Sequence, residues 1–92
     1  MIRFVQIQIF VCLLIGQPEL NQFTHQGLER EYYLYIPASI YPEAPLIFVL
    51  HSYGGTANGI MSYSSFNNLA DENGFAVCYP QGIVDDYNNT FF

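Results

Sequence analysis

Two short apolar runs, Leu46-Ile47-Phe48-Val49-Leu50 and Phe75-Ala76-Val77-Cys78-Tyr79, are separated by a stretch with helical spacing. That order constrains this chain more than any other feature in it. Each run is short, β-branched or aromatic, and uninterrupted by polar residues. Such runs fit strands buried on both faces, as in a parallel sheet. Between them the pattern predicts a helix over roughly Ser62 to Asn73, with Phe66, Leu69 and Ala70 on one stripe. Ser62 or Ser64 is placed to cap its start, and Gly74 sits where a C′ glycine ends a helix. A strand, a helix and a second strand in this order form a βαβ unit, which requires parallel pairing and a right-handed crossover. The fold class is therefore α/β.

Upstream, Phe23 to Gln26 and Arg30 to Ile36 read as two strands of a hairpin, with Gly27 near the turn. In the second strand Tyr32, Leu34 and Ile36 share one face, and Tyr33 and Tyr35 share the other. Pro37 ends that strand, and Pro42 and Pro45 fix a loop before the first apolar run. Residues 1–16 place Arg3 ahead of the apolar run Ile9 to Ile15, which is too short to span a bilayer, where about 20 residues are needed. They resemble a signal peptide, although the alternation Val5-Gln6-Ile7-Gln8-Ile9 also suits a strand. Residues 17–92 are then the N-terminal portion of an α/β domain, expected to be incomplete. The acidic, Asn-rich Ile83 to Phe92 does not read as a domain terminus, and one βαβ unit with one hairpin leaves apolar strand edges open.

Composition excludes several partners. The formal charge is −6, and the only basic side chains are Arg3 and Arg30. Phosphate binding needs clustered Lys and Arg, so nucleic acid is not an expected partner. Neither is stable membrane insertion. Charged residues are 11% of the chain, against a usual share of about 25%. Of the two cysteines, Cys12 lies in the apolar leader and Cys78 in a strand, where a thiol is more often a small core residue than a nucleophile. No CxxC or Cys/His cluster suggests a metal, and no cofactor is implied.

The chemistry is expected where the first apolar strand runs into His51-Ser52-Tyr53-Gly54-Gly55. In open α/β sheets, ligands bind at the carboxyl ends of parallel strands. A glycine-containing turn there brings backbone N–H groups close to a reacting oxygen and stabilises the charge that develops on it. An ordinary strand-to-helix loop is the competing reading of the same residues. His51 is expected to order this loop by hydrogen bonding, and His25 to lie on the hairpin surface. Asp71 and Glu72 are adjacent on a helix, face different directions and form no acid/base pair. Asp85-Asp86 reads as a solvated loop rather than a calcium site. Asn88-Asn89-Thr90 matches the N-glycosylation sequon, a short pattern that is common by chance.

Three blocks occur in order: Arg30-Glu31-Tyr32-Tyr33-Leu34-Tyr35-Ile36-Pro37, then Pro45 to His51, then Leu69-Ala70-Asp71-Glu72-Asn73-Gly74 leading through Phe75 to Pro80-Gln81-Gly82. Together they resemble the start of the polyhydroxybutyrate depolymerase and feruloyl esterase group of α/β hydrolases, over about Phe23 to Gly82. The resemblance implies a secreted, extracellular serine esterase acting on polyester, or on feruloyl and acetyl esters of plant polysaccharide. Its nucleophile would sit on a G-x-S-x-G elbow, with Asp and His later in the chain. No such elbow occurs here, and Ser52, Ser62, Ser64 and Ser65 all lie outside one. The resemblance thus leaves the triad outside these residues, and the chain by itself is expected to be inactive. What matches is the oxyanion loop. There the group usually reads His-Gly, and here Ser52 takes the second place, making the loop less permissive. By that pattern the Tyr53 backbone N–H is the donor, with His51, Ser52, Gly54 and Gly55 supporting it. Two other readings stay open: a small non-catalytic module that binds a ligand through its tyrosines, and another α/β hydrolase such as a dienelactone hydrolase or peptidase.

Overall fold

The computed structural model describes residues 16–92. The reading of residues 1–16 as a signal peptide, with Cys12 and the alternating Val5–Ile9 stretch, falls outside the described residues apart from Gly16. The elements in chain order are β1 (Glu19–His25), β2 (Leu28–Tyr35), β3 (Leu46–Phe48), α1 (Ala57–Ser64), α2 (Phe66–Asn73), β4 (Ala76–Gln81), β5 (Ile83–Val84) and β6 (Thr90–Phe91). The first four strands form one mixed sheet in the order β1-β2-β4-β3, and β5 and β6 form a separate hairpin.

The β1–β2 hairpin turns on Gln26 and Gly27, with φ of 51° and 77°. That pair of left-handed residues is the type I′ geometry that matches strand twist. The strands are longer than their apolar residues alone suggest, because pairing runs from Glu19↔Leu34 to His25↔Leu28. Next, β2 pairs antiparallel with β4. The βαβ reading holds: β3 runs parallel to β4, with Ile47 opposite Val77 and Phe48 opposite Cys78. One further bond, Val49 N–H to the Cys78 carbonyl at 2.9 Å, carries the ladder towards the loop that follows.

The single helix expected over Ser62 to Asn73 is instead two. Thr56 caps α1, its hydroxyl accepting the Gly59 N–H at 2.9 Å, so helix begins well before Ser62. Ser65, with φ 59° and ψ 21°, breaks the rod between α1 and α2. The early start has a packing cause: Ala57 is fully buried, and Ile60 and Met61 pack on the same core. Gly74 closes α2 as expected, its N–H donating to the Ala70 carbonyl at 2.8 Å.

Both helices contribute to one core. Tyr35, Val77 and Tyr79 from the sheet meet Ala57 and Ala70 from the helices, with Tyr33, Val49 and Phe66 packed around them. Alternation along β2 delivers Tyr33 and Tyr35 to this face, as the period-two pattern requires. Full burial of Val77 or Tyr79 stabilises the fold by about 1.5–3 kcal/mol each. The Tyr35 hydroxyl donates to Asp71 Oδ1 at 2.7 Å, stapling the sheet to α2. Burial, helped by that carboxylate, pushes the Tyr35 phenol up to about 12.

The opposite face of the sheet is open. Phe23, Tyr32, Leu34, Leu46, Phe48 and Pro80 border an apolar groove of about 460 Å³ there. This corrects the expectation that β3 is buried on both faces: Leu46 is 50% exposed and Phe48 61%. Among the described residues the helices cover one face only, and β3 is a sheet edge. Cys78 is buried at the floor of that groove, a free thiol whose pKa is raised by desolvation.

Candidate functional site

The loop His51–Gly55 leaves the carboxyl end of β3, where the parallel pairing puts it beside the start of α1. Gly55 N–H donates to the Ser52 carbonyl at 2.9 Å, closing a four-residue turn. Gly54, third in that turn, has φ 80°. A type II turn needs positive φ at this place, which glycine adopts without strain. Ser52 is not among the residues with positive φ. A side chain there therefore imposes no backbone strain, and the loop does not demand glycine at that position.

His51 is buried, and both its ring nitrogens are engaged. Nδ1 lies 2.8 Å from the Ser52 carbonyl, and Nε2 accepts the Gly82 N–H at 3.0 Å. A carbonyl can only accept, so the proton sits on Nδ1 and the imidazole is neutral. The Phe92 ring lies against the imidazole, centroids 4.5 Å apart. Gly82 itself cannot carry a side chain, because a Cβ there would stand 2.3 Å from the Phe91 carbonyl oxygen. Gln81 joins the same cluster: its Oε1 accepts the Ala57 N–H at 2.7 Å, satisfying a donor in the first turn of α1.

The β5–β6 hairpin clasps the loop from outside. Gly54 N–H donates to the Thr90 carbonyl at 2.9 Å. Thr90 Oγ1 donates to the Gly55 carbonyl, and the Tyr53 hydroxyl donates to Asp85 Oδ2. Asp85 Oδ1 in turn accepts from the N–H groups of Tyr87 and Asn89, at 2.9 and 2.8 Å. The Tyr53 hydroxyl beside it, with the Asn89 N–H, holds the Asp85 carboxyl below the usual range. The same bond raises the Tyr53 phenol above its usual value. Among the described residues, the Tyr53 backbone N–H donates to no acceptor. An open cleft of about 440 Å³ borders the loop, between His51, Ser52 and Gly54 on one side and Thr56, Ile60 and Tyr63 on the other.

Of the five contiguous residues singled out from sequence, His51, Ser52, Gly54 and Gly55 line this cleft, and Tyr53 lies in the turn between them with its side chain held by Asp85. Asp71 is drawn away to Tyr35, and His25 lies on the β1–β2 hairpin surface. Sequence reasoning missed Gln81, Asp85 and Thr90. Asp85 carried a signal: an Asp two and four residues before backbone donors is the start of an Asx-type turn. Among the described residues there is no group of three or more His, Cys, Asp and Glu placed to hold a metal. No described helix is long and apolar enough to cross a membrane.

No protein-family model matches the chain. It is 32% identical over 69 residues to feruloyl esterase B of Thermothelomyces thermophilus, covering 75% of this chain and 24% of that protein. It is 37% identical over 57 residues to the bifunctional acetylxylan esterase/xylanase XynS20E of Neocallimastix patriciarum, covering 62% of this chain and 8% of that one. The chain therefore spans about a quarter or less of the length of these relatives. Its fold is similar to that of an acetyl xylan esterase from Aspergillus awamori, with a TM-score of 0.61 at 24% identity, over 73% of this chain and 26% of the other. The structural likeness shows a shared α/β fold over this part of the chain, and both sequence relatives are esterases by name.

Proposed function

We propose that residues 17–92 form the N-terminal part of a secreted carboxylic-ester hydrolase domain, and that the His51–Gly55 loop supplies its oxyanion donor. Feruloyl or acetyl esters on plant polysaccharide are the substrate class, because the two named relatives are a feruloyl esterase and an acetylxylan esterase. The polyester substrate has no comparable support among the relatives. Arg3 followed by the apolar run to Ile15 supports secretion.

One observation carries the site assignment. Gly54 N–H is taken by Thr90, Gly55 N–H by Ser52, and both His51 nitrogens are engaged. Among the loop N–H groups that donate to no described acceptor, that of Tyr53 is the one the family resemblance selects as the donor, at the carboxyl end of a parallel strand. In the reaction, a serine from outside these residues attacks the ester carbonyl and the carbonyl oxygen becomes an oxyanion. Tyr53 N–H meets that oxygen, and Gly54, Ser52 and the hairpin keep it aimed. With both nitrogens committed, His51 orders the loop and does not act as the base. The chain by itself, lacking a G-x-S-x-G serine, has no esterase activity.

The test is a chimera of the Thermothelomyces feruloyl esterase in which this chain replaces the stretch it matches. The chimera is expected to hydrolyse methyl ferulate, and Tyr53→Pro in it, which removes the N–H, should lower kcat about 10²–10³-fold. A chimera that melts cooperatively but leaves methyl ferulate and p-nitrophenyl acetate untouched overturns the esterase reading. Undiminished turnover by a folded Tyr53→Pro chimera overturns the donor assignment.

A further inference from the structure

The Asn88-Asn89-Thr90 sequon is left unused by the esterase reading, yet the fold treats its two asparagines differently. Asn88 is exposed at the tip of the β5–β6 hairpin, its N–H closing the turn on the Asp85 carbonyl at 3.0 Å. Its φ of 66° lies in the left-handed region that asparagine tolerates better than most residues. Turn geometry does not depend on the Asn88 side chain, because the Asp85 carboxylate holds Tyr87 and Asn89 from within. Asn89 is partly buried and its Oδ1 lies over Gly54, 3.6 Å from where a Cβ would stand. Only the first of the two heads a sequon, since position 91 is Phe. The sequence therefore marks the asparagine whose side chain is free and passes over the one that packs against the loop.

We propose that Asn88 is an N-glycosylation site, which rests on the secretion part of the reading above. The co-reactant is a lipid-diphosphate-linked oligosaccharide. Asn88 Nδ2 forms a bond to the anomeric carbon of its first N-acetylglucosamine, the carbon–oxygen bond to the lipid diphosphate breaks, and the amide proton passes to a base of the transferase. Thr90, the third sequon residue, has its hydroxyl bound to the Gly55 carbonyl in the fold. Addition therefore precedes docking of the hairpin, and the folded turn has only to carry the sugar in solvent. An N-linked glycan at this tip also stands beside the Tyr87 ring, which is 85% exposed.

Translation of residues 17–92 behind a host signal sequence, in the presence of endoplasmic-reticulum microsomes, tests this without requiring secretion or native folding. A neutral Gly/Ser extension after Phe92 lets the site clear the translocation channel. The protease-protected chain is expected to run heavier than the bare polypeptide and to collapse on treatment with peptide-N-glycosidase, leaving Asp at position 88. Asn88→Gln should abolish the shift, and Thr90→Ser should retain it. A protected chain of unmodified mass, or a shift that survives Asn88→Gln, overturns the proposal. The same translation with residues 1–16 in place of the host signal reads the leader separately: an unprotected chain there defeats the secretion reading and leaves the Asn88 result standing.

Discussion

Asp85 ties the loop to the β5–β6 hairpin, joining the Tyr53 hydroxyl to the N–H groups of Tyr87 and Asn89. These bonds favour its charged form and depress its pKa, while the same carboxylate raises the Tyr53 phenol. The two shifts bracket a pH window. A depressed carboxyl contributes fully above its unfolded pKa of about 4 and loses that contribution as pH falls through the lower folded value. A raised phenol contributes below about 10 and loses it as pH rises through the higher folded value. The clasp is therefore whole across neutral pH and loosens at both ends. Both groups are exposed, so solvent and salt screen the effect. We expect the Gly54 amide resonance, read by NMR through its bond to Thr90, to shift in a step below pH ~4. Asp85→Asn should remove that step and leave any high-pH change attributable to Tyr53. An identical acid step in the variant would show that another group opens the clasp.

At the scale of elements, local patterns were legible and tertiary ones were not. Period-two alternation set Tyr33 and Tyr35 against Tyr32 and Leu34, because it needs only the pleat. The order of apolar run, helix and apolar run gave the parallel pair β3 and β4, and glycine at position 74 marked the end of α2. The helix start was missed because Asn58 and Gly59 look like loop, while the gain that makes them helical is the burial of Ala57 and Ile60 against β4. The short β5–β6 hairpin was missed because two-residue strands leave no periodicity to read. At the loop, the positions were legible but the clasp from Asp85 and Thr90 was not, since it joins residues more than thirty apart. The break at Ser65 lends itself to a measurement. A non-glycine residue in the left-handed region costs roughly 1–2 kcal/mol, which glycine avoids while losing more entropy on folding. Ser65→Gly should thus leave stability unchanged or raise it by up to about 1 kcal/mol, as read from urea unfolding. A loss above about 1 kcal/mol would show that Ser65 holds the break through its side chain.

At the scale of the molecule, the described residues cover the sheet on one face and leave the other bare. Phe23, Leu46 and Phe48 are each half exposed or more, on a groove shared with Tyr32 and Leu34. A contiguous apolar patch of this kind on an isolated chain is a contact surface for whatever apolar matter is nearby. Among the described residues β3 is also a sheet edge beside it, a further route to association. The chain alone should therefore self-associate with rising concentration, visible in sedimentation velocity at neutral pH. Phe48 stands 61% exposed at the end of the edge strand, so Phe48→Lys removes little folded-state packing and plants a charge where the patch meets the open edge. We expect this variant to keep its circular-dichroism spectrum and sediment as a monomer over the same concentrations. If a folded Phe48→Lys chain associates as strongly as the parent, the bare sheet face is not the adhesive surface. Asp85→Asn, which disturbs only the loop and its hairpin, is the matching control. Association lost with Phe48→Lys and kept with Asp85→Asn would separate the face that holds a domain together from the cleft where its chemistry is proposed.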